Sequence, residues 1–494
     1  MSEPAPAESA GSDRTTVPTT PEPAPAQPLA APGRLSAAVH TATGRTGVWV
    51  AFVVVHAVLF WEAGHHAQAL YGDPELYRQW AAGGVQDGVW PVLDISWVYP
   101  IGALVPVTLP ALVSVDGEAY RYLFMVLVAV LDGLALGSLL HAGRGRTLGA
   151  WWWLVFLLFL GPITLVRLDG ISAALTVIAL AQLIGSAKNP DGRVSVASAV
   201  ATAGAWVKIA PGAVLIPLAL TAKRPWRRVV LPAVAVTAVV VGLAVLGGAG
   251  SRVLGFWGTQ DSRGLQVESG AATPFSLARL WSGEYRVFYN APLNVLEITG
   301  PGTAWFAQAL DVLLLVAVVL ATVVTWRAAV RLRRDLPDDV ERRTPQLELV
   351  LLATLALTLV LFAFDKVGSP QYVAWFAPPV AVALTALRSP AWWPGRRRGT
   401  EPHQAGARAW EIFAVALLVV ALLTHRLFPD HYNDFLGARP FDTVLAAVRN
   451  VLVLALAVGS LVLLGRHARR GMTRPSGSLS SRDAGYRESS RDAS

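Results

Sequence analysis

The stretch "VSVASAVATAGAWVKIAPGAVLIPLALT", residues 194–221, decides how the chain is threaded. It is almost wholly apolar and longer than the roughly 20 residues that one spanning helix needs. "KNPDGR" (188–193) precedes it and "KRPWRR" (223–228) follows it. Short basic loops beside apolar segments stay on the cytoplasmic side. With both ends inside, the stretch must go out and return. Its middle, "WVKIAPG", then forms the turn and carries Lys208 and Pro211 to the outer tip.

The rest of the chain has the same character. Of 494 residues, 54% are hydrophobic and 15% charged, well under the roughly 25% charged of a soluble domain. Mean hydropathy is +0.48. Apolar segments recur near 47–62, 99–115, 119–141, 147–166, 170–187, 194–221, 229–250, 303–325, 347–365, 370–387, 409–426 and 441–465. The fold class is therefore all-α, a polytopic membrane protein with about 12 transmembrane helices. The net charge of +8 sits mostly in loops between apolar segments. It is an orientation signal and does not point to nucleic acid. With no cysteine, thiol chemistry and disulfides are excluded.

Residues 1–45 and 466–494 are rich in Pro, Ala and Ser or in Arg and Ser, and read as disordered cytoplasmic tails. The first lacks the layout of a signal peptide. Residues 46–465 form the membrane domain, with outward loops at 63–98 and 251–302. If 144–146 is inside, 99–115 cannot cross and is a juxtamembrane helix. Crossing by 99–115, with 194–221 as one span, is the other scheme, and both give twelve spans. The turns at 166–170 and 366–369 then open outward. No internal repeat is evident, which weakens an inverted-repeat transporter.

Polar residues that the basic loops do not explain gather toward the outer ends of the segments. Asp73-Pro74 reads as an N-cap and first helical residue, with Glu75 in the first turn and Tyr77 and Trp80 on the faces of a short helix over 74–82. Asp94, Trp97 and Tyr99-Pro100 open the next helix. Arg167 and Asp169 stand at the end of a span, as a local ion pair or as part of a site. Lys208 either snorkels or serves a ligand. Asp132 lies alone in mid-span, where a carboxylate is a functional candidate. In "FDKVGSPQYVAWFAPP" (364–379), Ser369 and Pro370 start a helix. Lys366 beside that positive end makes an anion site, with Gln371 and Tyr372 in reach. The competing reading is a plain helix start with a local Asp365–Lys366 pair.

"DPELYRQWA", "VYPIGALV", "RLDGISAALTVIALA", "VKIAPGAVLIPLAL" and "DKVGSPQYVAWFAPP" occur in that order. Together they resemble a bacterial family of C-class polyprenyl-phosphate-sugar-dependent glycosyltransferases, which includes alpha-1,2-mannosyltransferases of phosphatidylinositol mannoside synthesis. Ile101 departs from the family's second proline after Tyr-Pro, and Asp169 stands where many members carry another polar residue. The resemblance implies Asp73 as catalytic base for an inverting displacement. Lys366, Lys208 and Arg167 would serve the lipid phosphate, with His65 and His66 near acceptor or phosphate. It implies a polyprenyl-phosphate-sugar donor, most often mannose-bearing, a lipid or glycan acceptor, and an active site on the outer face of the plasma membrane. A monophosphate leaving group needs cations but neither a metal nor a cofactor. The competing functions are a transporter or flippase of lipid-linked sugars, and a non-catalytic envelope assembly subunit.

Overall fold

The computed structural model describes residues 44–184, 190–256, 258, 263–291, 294–386 and 405–469. The expected disordered tails therefore lie outside the described residues, except that the first helix already begins at Arg45 and the last runs to Arg469. Among the described residues, seven helices are long and apolar enough to cross a membrane. These are α1 (Arg45–His65), α2 (Gly117–Gly143), α3 (Trp226–Leu246), α4 (Thr303–Asp335), α5 (Asp339–Phe364), α6 (Arg408–Asp430) and α7 (Pro440–Arg469). The other apolar segments counted toward about twelve spans are shorter helices. Leu148–Leu160, Leu168–Ala181 and Ala210–Thr221 are among them.

Local chemistry sets these breaks. Leu148–Leu160 stops at Gly161, whose φ of 78° is open to glycine but strained for other residues. Pro162 follows. Thirteen residues rise about 20 Å, short of the roughly 30 Å hydrocarbon layer. A non-helical turn at that depth is tolerated only where protein covers it, and residues 161–170 are all buried. The 166–170 turn, expected on the outward side, is thus covered by protein. The Leu70 carbonyl lies over it, accepting from Arg167 at 2.7 Å. The 366–369 turn is covered in the same way. Gln266 N–H donates to the Lys366 carbonyl at 3.0 Å, and a side chain at Gly368 would collide with Ser269.

α5 is the centre of the bundle, with 72% of its apolar window buried; α3 lies at the edge, with 11% buried. The exposed Leu231, Val234, Val239 and Leu243 of α3 face outward, which suits lipid and not water. Residues 72–87 and 101–111 form short helices packed near the start of α2. The 251–302 loop contains one β-hairpin, Arg286–Asn290 against Val295–Thr299.

The reversal at Lys208 is real. Ser198 Oγ donates to the Val229 carbonyl at 2.8 Å, and Trp206 Nε1 donates to Thr237 Oγ1 at 3.1 Å. The spacing is the same on both strands of contact, so Pro190–Val207 and α3 run parallel. The chain between them must come back. The expected hairpin does so through Ala210–Thr221. In this chain without cysteine, Ile209→Cys at the exposed tip is expected to react with a membrane-impermeant maleimide from outside intact cells. Lys223→Cys should react only after permeabilisation. The reverse pattern would invert the topology.

Candidate active site

Two ion pairs organise one end of the bundle. The short helix Gly72–Asp87 begins two residues earlier than the sequence implies, after Tyr71, and no side chain caps it. Asp73 is thus not the N-cap. Its carboxylate pairs with Arg167 Nε at 2.9 Å. Arg167 is extended at the start of Leu168–Ala181, and its Nη1 also donates to the Leu70 and Val166 carbonyls. Asp169 accepts from Lys208 Nζ at 2.7 Å and from Trp375 Nε1 at 2.9 Å. The expected local Arg167–Asp169 pair is absent, because each finds a partner far along the chain.

Aromatic rings line the same place. The Lys208 ammonium lies 4.8 Å from the ring centre of Tyr372 and 5.5 Å from that of Tyr99. These are cation–π distances. Tyr372 stacks on Trp375 at 4.1 Å. Tyr77 packs against Tyr99, Trp80 and Phe124. Asp73, Arg167, Asp169, Lys208, Tyr77, Tyr99 and Tyr372 therefore converge from five separate stretches. Trp97 is buried against Trp80 and Tyr99. Of the four charged groups, the Asp73 side chain is the most open, at 22%, against 7% for Arg167, 1% for Asp169 and 11% for Lys208.

Other singled-out residues lie elsewhere. Lys366 Nζ pairs with Asp311 of α4 at 3.0 Å, not with Asp365. Ser369 occupies the N-cap position of Pro370–Phe376 without capping it. Its hydroxyl accepts from Gln266 Nε2 at 2.9 Å. The anion site expected there thus has its cation already engaged, while Gln371 is half-buried beside it. Asp365 accepts from the Val367 N–H, and burial pushes its carboxyl up to about 6. His65 stacks on Trp61, and His66 pairs with Asp430 at 3.5 Å. Asp132 is not alone, since His56 Nε2 lies 3.4 Å from its carboxylate.

Sequence reasoning missed Glu268, Trp375, Tyr432 and Arg449. Arg449 alone carried a signal, as a cation inside an apolar segment. Tyr432 donates to the Glu268 carboxylate. Burial pushes that carboxyl above the ordinary glutamate range, and the Tyr432 bond pulls it back.

His431, Asp434 and Asp442 bring ligand atoms within 4.8 Å of one another, as a divalent cation would need. Arginines already serve them. Arg439 pairs with Asp434 at 3.0 Å, and Arg426 lies 3.2 Å from His431 Nε2. Arginine can only donate, which places the histidine proton on Nδ1, 3.2 Å from Asp442. That arrangement is a clasp between the 426–436 turn and α7.

Lys208→Met and Asp169→Asn should each lower stability by about 3–5 kcal/mol, because each leaves a buried charge unpaired. The double variant should be more stable than either single one. Thermal unfolding in detergent reads all three.

The sequence model of glycosyltransferase family 87 matches residues 97–344, half of the chain. No curated protein and no solved structure matches. The matched region contains Tyr99, Arg167, Asp169 and Lys208; Asp73 and Tyr372 lie on either side of it. With its spanning helices, the chain is a multi-pass membrane protein that belongs to glycosyltransferase family 87.

Proposed function

We propose that the protein moves a sugar, mannose, from a polyprenyl-phosphate-sugar to a lipid or glycan acceptor at the outer face of the plasma membrane. The observation that carries this reading is the Asp73 carboxylate, the more open acid of the two pairs, held by Arg167, with the Asp169–Lys208 pair against the Tyr372 and Tyr99 rings. An acceptor hydroxyl gives its proton to Asp73 as its oxygen attacks the anomeric carbon. The bond from that carbon to the phosphate oxygen breaks on the opposite face, so the anomeric configuration inverts. The departing polyprenyl phosphate takes the electron pair, and Arg167 and Lys208 are the cations nearest to receive it. Tyr372, Tyr99 and Tyr77 offer ring faces and hydroxyls to a sugar. Lys366 would have to leave Asp311 to take part.

A flippase reading would rest on the buried His56–Asp132 pair in the bundle. It predicts movement of lipid-linked sugar across the bilayer without transfer, and family membership speaks against it.

Sugar transfer from polyprenyl-phosphate-mannose, measured in membranes, tests the proposal. Asp73→Asn keeps the size of the side chain and removes the base. Transfer should fall by about 10²–10⁴-fold at unchanged protein level. Equal transfer by both proteins would remove Asp73 from the chemistry.

A further inference from the structure

Gln266, Glu268 and Arg449 are buried to 5%, 4% and 0% exposure, and Tyr432 is half-buried beside them. They come from three places: the second external loop, the turn after α6, and the middle of α7. Part of their bonding is complete. Tyr432 donates to Glu268. Arg449 Nη2 donates to the Glu268 carbonyl and to Asn450 Oδ1, each at 2.7 Å. Asn450 in turn donates to Thr273 Oγ1 at 2.9 Å. Part is not. Among the described residues, Arg449 Nη1, Glu268 Oε2 and Gln266 Oε1 are buried without a hydrogen-bond partner.

Buried polar atoms in native proteins are nearly always partnered, and each exception asks for a cause. A buried guanidinium within a spanning helix is a still stronger exception. Three such atoms, a donor and two acceptors, lie on residues that are bonded to one another or two apart in sequence. The group adjoins the Asp73 site on two sides. Gln266 bonds Ser369, three residues before Tyr372. On the other side, Asp430, two residues before Tyr432, pairs with His66, seven residues before Asp73.

We propose that Gln266, Glu268, Tyr432 and Arg449 form a subsite for the hydroxyl groups of a neutral sugar ring next to Asp73. The inference rests on the sugar-transfer reading above and adds the part that recognises the sugar. The one acid and one base balance in charge, so the group suits an uncharged polyol and gives a phosphate no net attraction. A ring with neighbouring hydroxyls can accept from Arg449 Nη1 and donate to Glu268 Oε2 and Gln266 Oε1. The sugar can be the donor's or the acceptor's, and the chemistry of recognition is the same.

The test compares binding of polyprenyl-phosphate-mannose, polyprenyl phosphate and octyl mannoside to the purified full chain. Wild type is set against Glu268→Gln, Tyr432→Phe, Arg449→Gln and the conservative Arg449→Lys. If the donor's sugar occupies the subsite, the first three variants should lose about 10-fold in affinity for polyprenyl-phosphate-mannose and keep their affinity for polyprenyl phosphate. If the acceptor's sugar does, both lipids should bind unchanged and octyl mannoside should weaken instead. Arg449→Lys should recover part of the loss in either case. Parallel loss of all three ligands would mark the group as structural and overturn the proposal, as would no change in any. Failure of wild type to bind either lipid would count against the polyprenyl-phosphate donor, while the octyl mannoside comparison would still decide the subsite.

Discussion

The Asp169–Lys208 ion pair is the contact on which this end of the molecule depends. Both side chains are nearly out of reach of solvent. Either one alone, buried among apolar helices, would be strongly unfavourable. Their attraction holds the tip of the hairpin against the start of Leu168–Ala181. That fixes where the chain turns and makes Pro190–Val207 run parallel to α3. The same carboxylate takes the Trp375 indole proton, which orients the ring that Tyr372 stacks on. Two residues earlier, Arg167 is presented to Asp73. A single pair thus sets the hairpin, the aromatic floor and the neighbouring pair.

Much of this was legible in the sequence, for definable reasons. Apolar length marked the helical segments, and the basic loops at 188–193 and 223–228 forced the reversal at Lys208. What sequence could not supply was partner choice. Near neighbours were paired on paper, Arg167 with Asp169 and Asp365 with Lys366. At a helix start, residues two apart face different directions, so both members of the first pair look outward to other elements. The observed partners are Asp73, Lys208 and Asp311, all remote along the chain. Asp132 was legible as a buried carboxylate, but its partner His56 was not, because it lies on another helix.

Burial of the turns was the second illegible feature. A basic-loop rule tells which side a turn faces and says nothing of what covers it. The 161–170 and 366–369 turns are sealed by residues remote in sequence, Leu70 over the first and Gln266 and Ser269 over the second. That cover explains how short helices persist at membrane depth. Leu148–Leu160 and Leu168–Ala181 end before they could cross, and their free backbone groups are satisfied inside protein. Broken helices in turn let charged side chains such as Arg167 and Asp169 enter the bundle from its end.

Charge bookkeeping then constrains the proposed mechanism. Arg167, Lys208 and Arg449 stand against Asp73, Asp169 and Glu268, so the assembled site is formally neutral. An incoming phosphate monoester therefore finds no unclaimed cation there and must compete with a carboxylate for one. Asp169 cannot easily yield, since Lys208 and Trp375 both hold it. Asp73 can, because it is more open than Asp169 and, in the proposed reaction, receives the acceptor's proton. Once protonated, it loses its charge and its hold on Arg167 weakens. The guanidinium then becomes available as negative charge builds on the leaving phosphate. Base catalysis and leaving-group stabilisation would thereby be one event, coupled through a pair that is neutral before the reaction and cationic at its transition state.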